Sequence, residues 1–210
     1  MDSGEEIDGL TVDALKEISN IATGHLSEVI CQLTKKTMSM SVPEAKIVKV
    51  NDATEKIGGK GATILVGYLS VLGDVMGSVV VSFNKKDAVK LTELTLNEEV
   101  NPVLFPSPLE KDALREFITI MGSAYLNAIT QFLGIYLIPS SPIISLFGGF
   151  NLLNFLKIRE GHIEEYETRN IVAVSIKYAV EGSDVKGEIL ILVSPTILDY
   201  LMKKIKEKHG

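Results

Sequence analysis

Five residues near the N-terminus, Asp13-Ala14-Leu15-Lys16-Glu17, return at an offset of 99 as Asp112-Ala113-Leu114-Arg115-Glu116. Pro43 returns as Pro142 at the same offset. Further along, Asp74-Val75-Met76-Gly77 returns as Asp184-Val185-Lys186-Gly187, and Tyr68 as Tyr178, at an offset of 110. The change of offset implies 11 extra residues in the second half. Two copies of this length predict a pseudo-symmetric domain, because a solenoid needs more repeats to bury its faces. We expect one domain over 1–210, with a first repeat at about 10–98 and a second at about 107–208.

Each half reads as a long helix, then strands, then a shorter helix. Thr11 is an expected N-cap of the first long helix. Ser107-Pro108-Leu109-Glu110 is a capping box with proline at the first helical position, which marks the start of the second. Residues 62–72 and 75–83 are rich in β-branched side chains and predict a hairpin across Gly73-Asp74. Segments 170–181 and 186–193 repeat it. Asn84 and Ser194-Pro195 open the two closing helices, at about 85–97 and 195–208. The predicted fold is α+β, an antiparallel sheet with helices on its faces.

On a helical wheel, Leu15, Ile18, Ala22, Leu26, Val29 and Leu33 form one apolar stripe. Asp13, Glu17, Asn20 and Gly24 lie nearly opposite. The second long helix repeats the plan, with Leu114, Phe117, Met121, Tyr125, Ala128 and Phe132 as its core stripe. Asp112, Glu116, Thr119 and Ser123 lie opposite. Polar residues facing away from a core stripe are ordinarily a solvated face. Asn20 and Gly24 are nonetheless poor helix formers, at about 0.5–1 kcal/mol each relative to Ala, which hints that the face serves another purpose.

Composition narrows the function classes. A net charge of −6 argues against sequence-independent nucleic-acid binding and against an electrostatic membrane anchor. The single cysteine, Cys31, allows no internal disulfide and fits a reducing cytoplasm. The acidic N-terminus is unlike a signal peptide. The apolar stretch 129–156 is broken by Pro139, Pro142 and Gly148-Gly149, so no membrane span is expected.

The spacing of the outward residues is specific. Asp13, three residues, Glu17, two residues, Asn20, twenty-two residues and Pro43 resemble the signature of the CheC, CheX and FliY phosphatase family. Ile21-Ala22-Thr23-Gly24 resembles the family's Ile-Gly-Ala-Gly stretch, with Ala and Thr as departures. The second half keeps Asp112, Glu116 and Pro142 in register, but Thr119 stands where Asn is expected. The resemblance runs from about residue 10 to 205. Two repeats with no appended flagellar-switch domain resemble the CheC arrangement; CheX-type chains are shorter and dimerise.

That resemblance implies a phosphatase acting on the aspartyl-phosphate of a phosphorylated CheY-like response regulator in chemotaxis. It implies Asn20 and Glu17 as catalytic residues, Asn20 orienting the attacking water and Glu17 contacting the regulator's lysine. Asp13 extends the contact, Gly24 leaves room for close approach, and Pro43 shapes the turn into the first strand. Asp112, Glu116 and Thr119 form a degenerate second partner-binding face, inactive or weak. No metal or cofactor of its own is implied, the Mg2+ belonging to the regulator. The receptor deamidase CheD is an implied partner, and the isolated chain is expected to be monomeric and cytoplasmic. The alternatives are a largely non-catalytic adaptor for the regulator or CheD, and a structural flagellar-switch protein similar to the FliM middle domain.

Other signals carry less. Gly58-Gly59-Lys60-Gly61 lacks Walker A spacing and precedes a strand, so a turn is the better reading. His25, His162 and His209 share no ligand spacing. Cys31 reads as packing, and the basic run Lys203–Lys208 as a solvated helix end. Residues 143–156, with Leu146, Phe147, Phe150, Leu152, Leu153 and Phe155, are either core or an apolar surface for a protein partner.

Overall fold

The computed structural model describes residues 9–41, 44–49, 63–148, 170–182 and 186–209. The elements run α1 (Gly9–Thr34), β1 (Met38–Met40), β2 (Glu44–Lys49), β3 (Thr63–Gly73), β4 (Gly77–Asn84) and α2 (Lys85–Leu96). The series then repeats as α3 (Pro108–Leu133), β5 (Leu137–Pro139), β6 (Ile143–Gly148), β7 (Asn170–Val180), β8 (Lys186–Val193) and α4 (Pro195–His209). The repeat in the sequence is thus a repeat of elements, and the predicted α+β class with antiparallel pairing holds.

The eight described strands form one sheet, ordered β1-β7-β8-β4-β3-β5, with β2 also on β7 and β6 also on β3. Its centre is the antiparallel pair β4–β8, where Val81 faces Ile191 and the pairs Val80–Leu192 and Ser82–Leu190 flank it symmetrically. Outside this centre the halves exchange strands. β1 and β2 of the first half pair with β7, and β5 and β6 of the second pair with β3. Each hairpin is therefore edged by strands from the other half.

The exchange also fixes which residues correspond. Met40 pairs with Tyr178, and its counterpart Pro139 pairs with Val71. Tyr178 therefore corresponds to Val71, and Tyr68 to Ser175, since Glu44 pairs with Ser175 while Ile143 pairs with Tyr68. The match of Tyr68 with Tyr178 in the sequence is a coincidence of identity. Tyr178 faces the main core and Tyr68 the opposite side of the sheet. The extra length of the second half divides between the connection before β7 and the β7–β8 turn.

The main core joins one face of the sheet to the four described helices, through Leu15, Ile18, Ala22 and Leu26 of α1 and Leu114, Phe117, Met121, Tyr125 and Ala128 of α3. Among the described residues the helices lie on that one face, not on both as expected. The other face carries a smaller cluster around Ile64, Val66, Tyr68, Ile171 and Leu192. The apolar stripe of α3 is wider than its wheel suggested: Ile118, Ala124, Leu126 and Ile129 are also buried, because α3 meets α1, α2 and the sheet at once. α3 sits close on β3. A Cβ on Gly67 would lie 2.5 Å from Ile118 Cγ2, and one on Gly122 would lie 2.9 Å from Leu69 Cδ2.

Helix starts fared unevenly. Ser107 and Glu110 form the expected capping box, with the Ser107 N–H donating to Glu110 Oε2 at 2.5 Å. Thr11 is not an N-cap: it lies inside α1, which is already helical at Gly9, and is fully buried. Asn84 precedes α2 as expected but makes no side-chain cap bond.

Candidate functional site

The opposition of core stripe and polar stripe on α1 decides what its outer face presents. With Leu15, Ile18, Ala22 and Leu26 at 2% exposure or less, the turns between them project Asp13, Glu17, Asn20 and Gly24 into solvent. Asp13 pairs with Lys16 at 3.1 Å, an exposed contact of little energetic weight. Glu17 and Asn20 have no hydrogen bond or ion pair among the described residues, so both polar groups are available to a partner. Gly24 has open space beside it, since a Cβ there would meet nothing within 4 Å. Among the described residues nothing requires glycine at this position, whereas a surface approaching from outside would gain room.

The outer face of α3 is a near copy with one difference. Asp112 pairs with Arg115, as Asp13 does with Lys16. Glu116 is exposed like Glu17. Thr119, where α1 has Asn20, is half-buried, and its hydroxyl donates to the Arg115 carbonyl at 2.8 Å. The hydroxyl is thus engaged by its own helix, while the amide of Asn20 has no partner among the described residues.

Behind Asn20 lie two residues that the wheel placed neither in the core nor at the site. Ser19 is fully buried and Thr23 nearly so. The Ser19 hydroxyl donates to the Leu15 carbonyl at 2.7 Å, and the Thr23 hydroxyl to the Ser19 carbonyl at 2.8 Å. Their spacing of four beside the core stripe was the available signal. Burial pushes the Tyr125 phenol up to about 12, a rise partly opposed by its contact with Ser19.

The remaining sequence candidates fall elsewhere. Pro142 is buried, while Pro43, the glycines at 58–61 and His162 lie outside the described residues. Cys31 is half-buried, accepts the Met38 N–H at 3.4 Å and packs on the core, as a structural cysteine does. Lys204 pairs with Glu207 at 2.9 Å beside the Tyr200 ring, on a solvated helix end. In 143–156, β6 pairs with β3, leaving Ile143 exposed and Leu146 and Phe147 half-buried; residues 149–156 lie outside the described set. A cleft of about 420 Å³ lined by Glu44, Lys46, Ser82, Ser175 and Lys177 opens on the strands, apart from the outer faces of α1 and α3. Among the described residues no cluster of His, Cys, Asp and Glu could hold a metal, and no helix is long and apolar enough to cross a membrane.

Comparison with known proteins bears out the resemblance. The CheC-like family model matches residues 12–47, the segment that carries Asp13, Glu17, Asn20, Gly24 and Pro43. The chain is similar to the CheY-P phosphatase CheC of Bacillus subtilis (strain 168), at 28% identity over 138 residues, covering 64% of this chain and 66% of that protein. The match thus spans just under two thirds of the relative's length. In fold, the chain resembles Thermotoga maritima FliY, with a TM-score of 0.75 and 16% identity over 96% of this chain and 98% of that one. It also resembles the FliM middle domain from H. pylori, with a TM-score of 0.66 and 10% identity over 94% and 99% of the two chains.

Proposed function

We propose that this CheC-like chain is a phosphatase that hydrolyses the aspartyl-phosphate of a CheY-like response regulator in the cytoplasm, using Asn20 and Glu17. The observation that carries the reading is the pair of exposed polar side chains on the outer face of α1, without partners among the described residues, in the segment that matches the family model. The relative in Bacillus subtilis is named for hydrolysis of phosphorylated CheY, which supplies the substrate class.

The chemistry suits what the face offers. Water attacks phosphorus, the bond from phosphorus to the aspartyl oxygen breaks, the regulator's carboxylate leaves, and inorganic phosphate forms. Such transfer relies on positioning and on stabilising charge more than on covalent chemistry from the protein. The Asn20 amide presents an acceptor for the attacking water and a donor for a phosphoryl oxygen on one plane. It adds no negative charge beside the phosphate. Glu17, one turn earlier on the same face, would pair with the lysine of the regulator's phosphorylation site, and Asp13 would extend that contact. Any Mg2+ would belong to the regulator. On this reading Glu116 and Asp112 dock a regulator on the second face, with Thr119 contributing little hydrolysis.

The test is phosphate loss from a phosphorylated CheY-like regulator with Mg2+, with and without the protein. Asn20→Ala should slow the reaction by about 10²–10³, as removal of one preorganised polar group does elsewhere. Glu17→Ala should also weaken regulator binding. Full activity in Asn20→Ala would remove the assignment. An adaptor role, for the regulator or for the deamidase CheD, is favoured by the engaged hydroxyl of Thr119. Tight regulator binding without hydrolysis by the unmodified protein would establish it instead.

A further inference from the structure

We infer that Tyr125, acting through Ser19, is a positioning residue that braces the turn of α1 from which Glu17 and Asn20 project. The inference rests on the phosphatase reading for its functional consequence, and on the buried geometry for the brace itself.

The Ser19 hydroxyl has one proton, and it points at the Leu15 carbonyl at 2.7 Å. The Tyr125 hydroxyl lies 3.4 Å from the same Ser19 oxygen. With the serine proton engaged, the phenol is the donor, and a chain runs from Tyr125 on α3 to Ser19 and on to the Leu15 carbonyl. Leu15 and Ser19 bracket Glu17, and Ser19 directly precedes Asn20. Thr23 adds a second return bond, to the Ser19 carbonyl. Serine and threonine bonds to the carbonyl four residues back bend a helix locally. Here two of them occur in succession behind the exposed amide. Tyr125 and Ser19 are both fully buried, so water cannot substitute for the contact.

The second half supplies an internal control. By the register of the two long helices, Ser19 corresponds to Ile118, Thr23 to Gly122 and Tyr125 to Leu26. Ile118 and Leu26 are fully buried, so the backbone packs at these two positions without the buried hydroxyl pair. α3 instead seats Ile118 in the space left by Gly67. The fold therefore does not require a polar brace at this place. It occurs on the helix that carries Asn20, and it is missing from the helix that carries Thr119. Tyr125 does not touch the outer face; it sets how firmly that face is held.

The test uses the full-length chain as wild type, Tyr125→Phe, Ser19→Ala and the double variant. Amide hydrogen exchange reads the brace without reference to activity. Tyr125→Phe should speed exchange in the turn from Ile18 to Thr23 by roughly five- to tenfold and leave the matching turn of α3 unchanged. In dephosphorylation assays, Tyr125→Phe should lower kcat by roughly tenfold, a small misplacement being costly to an oriented reaction. The KM for the regulator should move less than twofold. In the Ser19→Ala background, Tyr125→Phe should have no further effect on either measurement, since coupled residues are not additive. Unchanged exchange in α1 would overturn the brace. Unchanged kcat with an active wild type would overturn its functional role. An inactive wild type would sink the phosphatase reading instead, leaving exchange to decide the brace.

Discussion

Placing Thr119→Asn in a chain that also carries Asn20→Ala isolates the second helix face. The fold should tolerate the change. Thr and Asn have similar helix propensities. The bond lost is the one from the Thr119 hydroxyl to the Arg115 carbonyl, and that carbonyl keeps its main-chain partner in the helix. Stability should move by no more than about 0.5 kcal/mol, the usual range for a change outside the core. If the amide of Asn20 is worth about 10²–10³ in rate, it stabilises the transition state by about 2.7–4 kcal/mol. Asp112, Arg115 and Glu116 already reproduce Asp13, Lys16 and Glu17. An amide at 119 that recovers half of that free energy should raise the rate of Asn20→Ala by roughly 10- to 30-fold. Initial rates of phosphate loss from the regulator measure this, with Thr119→Ala in the same background as the control that should change nothing. No recovery, in a variant that is folded and still binds the regulator through Glu116, would refute the claim that only the amide is missing. No recovery and no binding at Glu116 would show that the α3 face serves another purpose.

Other consequences concern the fold and its ionisation. Gly67→Ala should cost about 1–3 kcal/mol in chemical denaturation, because its Cβ would overlap the fully buried Ile118. Leu72 and Ile138 face each other in an exposed pair, and their counterparts in the other half are Ala179 and Ser39. Leu72→Ala with Ile138→Ser should therefore change stability by less than about 1 kcal/mol in total, two surface changes each staying within the usual range. The buried Tyr125 phenol, raised from 10 to about 12, makes alkaline stability fall as pH rises from 10, where the unfolded chain ionises, to about 12, where the folded chain does. Tyr125→Phe should remove about 1.4 kcal/mol per pH unit from that limb, as read from denaturation midpoints taken across the window.

What could be read in advance was local. Helices and hairpins are encoded within short windows, so the elements, the Ser107–Glu110 box and the outward placement of Asp13, Glu17 and Asn20 followed from periodicity. The exchange of β1 and β2 onto β7 did not, since it depends on pairing between residues such as Ser39 and Ala179 that are distant in the chain. Tyr68 and Tyr178 misled for a related reason. Identity at a constant offset cannot reveal that extra length falls partly within a turn, and only the strand register separates Tyr178 from its match. Thr11 has the chemistry of a cap and is instead a buried residue within α1. Ser19 and Thr23 were hidden because a wheel ranks positions by hydropathy, while a hydroxyl bonded to the carbonyl four residues back is buried at little cost.

Two halves that share a backbone and differ in side chains allow structural and functional requirements to be separated within one chain. At the centre of the sheet the halves must agree, since Val81 packs beside its own counterpart Ile191, and both are fully buried and apolar. Away from the axis each position answers only to its own surroundings, and there the halves diverge. A residue that differs from its counterpart while the backbone stays the same is not required by the fold in that form. Asn20 against Thr119 and Ser19 against Ile118 are such pairs, and they fall on adjacent residues of α1 and of α3. The divergence behind the surface thus coincides with the divergence on it. If the free amide and the buried hydroxyls were independent, altering one would leave the effect of the other unchanged. If they form one unit, the gain from Thr119→Asn should grow when Ile118→Ser and Leu26→Tyr rebuild the brace behind it. A gain that is the same with and without those two changes would show that the exposed amide alone is sufficient.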